Sequence, residues 1–86
     1  MWKIIYTKKA QKDSEKIKES NLGSIVKRLI ELIENDPFAK HPPYEKLRGD
    51  LYGSYSRRIN IKHRLVYEVL EEDRIIKISS IWTHYE

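Results

Sequence analysis

A carboxylate, several arginines and a histidine–tyrosine pair are the residues of this chain that could do chemistry. Glu45 stands in a stretch rich in proline and glycine, Arg57 and Arg58 are adjacent, Arg64 follows, and His84-Tyr85 precede the last residue, Glu86. Metal-free RNA cleavage is built from such groups. It needs a base for the 2′-OH, an acid for the departing 5′-oxygen and a cation for the charge that builds on phosphorus; the planar, permanently charged guanidinium suits the last role. Taken singly these residues say little. A lone histidine is more often structural or simply exposed, Arg57-Arg58 is a basic pair of a common sort, and a loop glutamate such as Glu45 is usually solvated. His41, His63 and His84 lack the close helical spacing of metal ligands, and no glycine-rich phosphate loop is present. The residues alone leave two classes open: a metal-free ribonuclease, and a basic module that binds nucleic acid without cutting it.

The rest of the composition narrows the frame. With 86 residues, 40% of them hydrophobic and 35% charged, the chain can build one core, and residues 1–86 are read as a single globular domain. The absence of cysteine excludes disulfides, a thiolate nucleophile and a thiolate metal site. Seventeen Lys and Arg against 13 Asp and Glu give a net charge of +4, which favours a polyanionic partner or else marks a solvated basic surface. No apolar run approaches the roughly 20 residues of a membrane-spanning helix, and MWKIIYTKK lacks a signal peptide's long apolar segment. A cytoplasmic protein with no membrane partner is expected.

The elements that must position these groups follow from periodicity. Residues 2–6, WKIIY, read as a strand. From Lys8 to Ser20 the chain favours a polar helix with a thin apolar stripe, broken at Asn21-Leu22-Gly23-Ser24, where Ser24 can cap the next helix. Ile25, Val26, Leu29, Ile30 and Ile33 recur on one face of that second helix, which Asn35-Asp36-Pro37 ends. Residues 37–53 read as an ordered loop holding all three prolines and two of the three glycines. Strands are expected over 54–61, 63–70 and 75–85, with Glu71-Glu72-Asp73 as a tight turn. The order β-α-α-β-β-β predicts an α+β domain, two helices covering one face of a small, mostly antiparallel sheet.

Side chains alternate across a strand, so parity sorts them. Leu65, Tyr67 and Val69 suit the core, with Tyr55, Ile59 and Ile61 beside them. Arg58 and Arg64 then share an open face on neighbouring strands. In the last strand both parities are largely apolar, and alternation leaves the direction of His84 undecided.

The run YEKLRGDLYGSYSRRINIKHRLVYEV and the terminal His-Tyr resemble the YoeB/Txe toxins of the RelE superfamily. SRRI…HRLVY and the ending are the specific parts, and the first strand and two helices also fit. Members of that family are ribosome-dependent endoribonucleases of toxin–antitoxin modules, which cut mRNA in the ribosomal A site to leave a 2′,3′-cyclic phosphate and a 5′-OH. The resemblance implies Glu45 as general base, His84 as general acid and Arg64 as stabiliser of the phosphorane. It implies Arg48, Arg57 and Arg58 as RNA contacts and Tyr85 as a residue that orients the mRNA by stacking. No metal or other cofactor is implied. The implied partners are the ribosome, mRNA and a small acidic antitoxin of the YefM type, in a heterotrimer or heterotetramer.

Two features depart from the family pattern. The glutamate motif reads Tyr44-Glu45-Lys46-Leu47, without a Pro-Glu-Pro-Leu frame, and the chain continues to Glu86, whose carboxylate is expected to face solvent. A gyrase-poisoning relative of the same fold, resembling ParE, would lack the set Glu45, Arg64, His84 and Tyr85.

Overall fold

The computed structural model describes residues 2–84, and the side chains of 2–81. Strand β1 (Lys3–Tyr6) leads into helices α1 (Lys8–Lys18) and α2 (Gly23–Asn35). Strands β2 (Tyr44–Lys46), β3 (Ser54–Arg58), β4 (His63–Leu70) and β5 (Ile75–His84) follow, with a short 3-10 turn at Gly49–Leu51. The sheet order is β1-β5-β4-β3-β2, antiparallel except for the parallel β1–β5 pair. The expected α+β architecture is observed.

Both helices form for identifiable reasons. Thr7 caps α1, its Oγ1 accepting the Ala10 N–H at 3.1 Å and donating to the Ser79 carbonyl at 2.9 Å. One side chain thereby satisfies a free helix-end donor and ties the helix to β5. In α1 the buried residues are Ala10, Asp13 and Ile17, and in α2 they are Val26, Leu29 and Ile33, each set three and four apart on one face. Ser24 does not cap α2. Its N-cap is Leu22, with no side-chain bond, and the Ser20 hydroxyl accepts the Leu22 N–H instead. The helix ends at Asp36, whose carboxylate accepts the Phe38 N–H at 3.0 Å.

Leu65, Tyr67, Ile76 and Ile78 are wholly buried and pack with Ile59 and Ile81 against the two helix faces. Each such aliphatic side chain contributes about 1.5–3 kcal/mol when removed from water. The core parity expected for β4 holds at Leu65 and Tyr67. Ile61 is a correction: it is 88% exposed. β3 ends at Arg58, and the Asn60 carbonyl oxygen of the side chain accepts the N–H of Lys62 and His63, turning Ile61 outward. The expected loop over 37–53 is also corrected, since it contains β2, an edge strand too short to show any period.

An irregularity in the β4–β5 ladder explains why alternation fails along the last strand. The register shifts between Arg64 and Val66 and again between Val66 and Tyr67. Ile76 and Ile78 face the core, and so does Ile81, an odd step further on. The buried Asp13 carboxylate accepts the Ile81 N–H at 3.1 Å and pairs with Lys9 at 2.9 Å. A helix side chain thus meets the backbone of β5 at its irregular stretch.

Asp13→Ala should lower the unfolding free energy by about 1–3 kcal/mol, because it strands a buried N–H. Lys9→Ala should change it by less than about 1 kcal/mol, since its side chain is 63% exposed. Urea unfolding midpoints of the two variants check the contrast; equal losses would contradict it.

Candidate active site

β3 carries residues of opposite parity to opposite faces of the sheet, and two adjacent arginines meet opposite fates. Arg58 is exposed and stands directly opposite Arg64 in the β3–β4 register. Like charges so placed repel. The relief comes from β2: the Arg64 Nη1–H donates to Glu45 Oε1 at 3.0 Å, and Ser56 Oγ lies 3.5 Å from the same nitrogen. The Glu45 side chain is 62% exposed and that of Arg64 only 14%. One carboxylate against two guanidinium groups leaves a local positive surplus.

These side chains form the floor of a groove of about 630 Å³. Pro42, Pro43, Tyr44, Ile59, Asn60 and Ile61 complete its lining. An exposed carboxylate can take a proton, and the flanking guanidinium groups can hold a phosphate between them. The arrangement is therefore suited to a phosphodiester whose neighbouring hydroxyl must be deprotonated.

Not every expected residue joins this groove. Arg48 is exposed at the start of the 3-10 turn but does not line it. The backbone of His84 is in register with His63, the neighbour of Arg64, at the end of β5. Tyr85 and Glu86 lie outside the described residues.

Arg57 is the clear correction. Expected as an RNA contact, it is 0% exposed. Its Nε–H donates to the Tyr67 hydroxyl at 3.0 Å, and its terminal nitrogens donate to the carbonyls of Pro37 at 3.1 Å, Ala39 at 2.8 Å and Pro42. The guanidinium also lies 5.1 Å from the centre of the Tyr44 ring. No surface is left for a phosphate. Parity carried the signal, because Arg57 shares its face with the core residues Tyr55 and Ile59. Ser56 was missed for the complementary reason: it shares the groove face with Arg58, but its hydroxyl carries no chemical flag in a sequence.

Residues 6–85 match the family of YoeB-like toxins of bacterial type II toxin–antitoxin systems. The chain belongs to that family. It is 41% identical over 66 residues to Toxin YoeB of Synechocystis sp., covering 77% of this chain and 70% of the relative. Alignments to other curated relatives cover less of them, 61% for Toxin YoeB of Streptomyces coelicolor. Among solved structures, the YoeB/ParE toxin from Agrobacterium tumefaciens has a TM-score of 0.88 at 29% identity, covering 96% of this chain and 99% of that one. The YoeB–YefM complex from Staphylococcus aureus has 0.82 at 33% identity, covering 99% of both. The chain is thus a YoeB-type toxin of a type II system, and among its described residues no helix is long and apolar enough to cross a membrane.

Two measurements probe the site's physics without assuming its function. A double-mutant cycle between Glu45 and Arg64 should give a coupling of only about 0.2–1 kcal/mol, because the Glu45 end of the pair is open to water and screened, and salt should reduce it further. Burial, partly opposed by Arg57, raises the Tyr67 phenol above its ordinary value of 10.0. The folded state therefore holds a proton that the unfolded chain releases. The stabilisation is complete below pH 10 and declines as pH rises from there through the folded value. Chemical unfolding of wild type and Tyr67→Phe across that range should show a steeper decline in the wild type; the Tyr6 phenol, raised by burial and by Glu34, supplies the decline that the variant keeps.

Proposed function

We propose that this toxin is a ribosome-dependent endoribonuclease that cuts mRNA in the A site by 2′-OH attack. The observation that carries the reading is the Glu45–Arg64 contact beside Arg58 in an open, positively charged groove. Membership of the YoeB family supports it.

The steps follow from the groups. Glu45 takes the proton of the 2′-OH as the oxygen attacks the adjacent phosphorus. Arg64 and Arg58 neutralise the charge growing on the phosphorane oxygens, and moving Arg64 from Glu45 to the phosphate frees the carboxylate as the base is needed. His84 protonates the departing 5′-oxygen. The products are a 2′,3′-cyclic phosphate and a 5′-OH, with all protons accounted for by Glu45 and His84. Tyr85 stacks on a base, and Arg48, outside the groove, contacts the RNA backbone further along. A shallow groove on a small domain cannot by itself hold a flexible strand in line; the ribosome supplies that orientation. Such a toxin works in the cytoplasm, where ribosomes are.

The basic groove also suits a small acidic antitoxin. One relative from Staphylococcus aureus was solved with YefM, and another structure of the pair is a heterotetramer. An antitoxin of that type, seated over Arg58 and Arg64, would hold the toxin inactive in an assembly of this kind.

Cleavage on programmed ribosomes tests the reading. The 5′ fragment should end in a cyclic phosphate, and a 2′-deoxy nucleotide at the scissile position should abolish the cut. Glu45→Gln, Arg64→Met and His84→Ala should each slow cleavage by about 10²–10⁴-fold. Cutting that persists at a 2′-deoxy site, or variants as active as wild type, would refute the assignment.

A further inference from the structure

We propose that Arg57 is a positioning residue for Glu45: its buried guanidinium anchors residues 37–43, and so sets the edge strand β2 at the height where Glu45 meets Arg64. The inference rests on the reading of Glu45 as the base. It reaches beyond that reading by naming what holds the base in place.

β2 is three residues long, lies at the sheet's edge and pairs only with β3. So short a ladder fixes little. The segment leading into it is irregular, and three of its carbonyls, those of Pro37, Ala39 and Pro42, converge on the one guanidinium. Charged donors make the stronger hydrogen bonds, and the planar fork reaches several acceptors at fixed angles. Tyr67, itself wholly buried, accepts from Arg57 and donates to Pro37 at 2.8 Å, so the anchor is fastened to the central strand β4.

The last link is Tyr44. It is the register partner of Arg57, its ring lies beneath the guanidinium, and it packs edge-on to Tyr55 at 5.5 Å. Glu45 is the next residue, turned to the opposite face. Among the described residues no carboxylate forms an ion pair with Arg57. Its charge is met by carbonyls, a hydroxyl and ring faces, all belonging to the segments it ties together. A lysine keeps the charge but not the fork.

Arg57→Lys separates positioning from bulk stability, with Leu29→Ala, in the core away from the groove, as the stability control. Hydrogen exchange at residues 44–46 should speed up in Arg57→Lys relative to β4 and β5, and should not in Leu29→Ala. On programmed ribosomes kcat should fall about 10²-fold with KM little changed, the signature of a base displaced by about an ångström. Tyr67→Phe removes one of the four acceptors and should show the same pattern in weaker form; it decides the matter if Arg57→Lys does not fold. Wild-type exchange at 44–46, or wild-type kcat, in a folded variant would overturn the proposal. If the wild-type protein cuts nothing on ribosomes, the endonuclease reading fails, and the exchange data alone decide whether Arg57 holds β2.

Discussion

Strand alternation is the constraint from which the site is built. Each groove residue has a chain neighbour pinned in or near the core: Arg64 precedes Leu65, Arg58 follows Arg57, and Glu45 follows Tyr44. A strand that buries one residue must present the next to the other face. Burial of Leu65 and Tyr67 in the central strand therefore holds Arg64 upright as surely as any bond to Arg64 would. The helices contribute indirectly, since Val26, Leu29 and Ile33 supply the surface against which that burial happens. Precision in the groove comes from packing on the opposite side of a single layer of backbone.

Arginine performs two different tasks one residue apart. Removing a guanidinium from water is costly unless its donors are satisfied, and Arg57 is tolerated because carbonyls, a hydroxyl and aromatic faces surround it. Arg58 stays hydrated, and with Arg64 it exceeds the single carboxylate nearby. The first organises an irregular segment that has no ladder of its own. The second keeps the groove electropositive, which is what an RNA backbone or an acidic polypeptide would meet. The Glu45–Arg64 contact is weak because its carboxylate stays open to water, so a bound phosphate can displace it.

Much of this was legible beforehand where periodicity was strong. The second helix, the central strand and the pairing of Arg58 with Arg64 on an open face all follow from apolar spacing and parity, and the YoeB resemblance from SRRI…HRLVY and His-Tyr. Legibility failed where structure depends on contacts distant in sequence. β2 is too short for any period, Ile61 was turned out by an Asn60 side chain, and the cap assigned to Ser24 lies elsewhere. Arg57 was grouped with Arg58 by residue type, although its parity already pointed to the core.

Residue types and their spacing determined which chemistry this chain can attempt: a carboxylate, arginines and a terminal imidazole, without thiols, on a basic α+β domain. They also determined which strand faces are apolar, because burial of apolar surface acts locally and repeats with the backbone's own period. Only the tertiary structure decided which arginine is hydrated and which is spent inside, and that Glu45 lies within hydrogen-bond reach of Arg64. Those outcomes depend on residues 37–43 folding back over β3 and on the register of three strands. The energy of a buried charge is set by whichever carbonyls happen to converge on it, and convergence in space has no period along a chain.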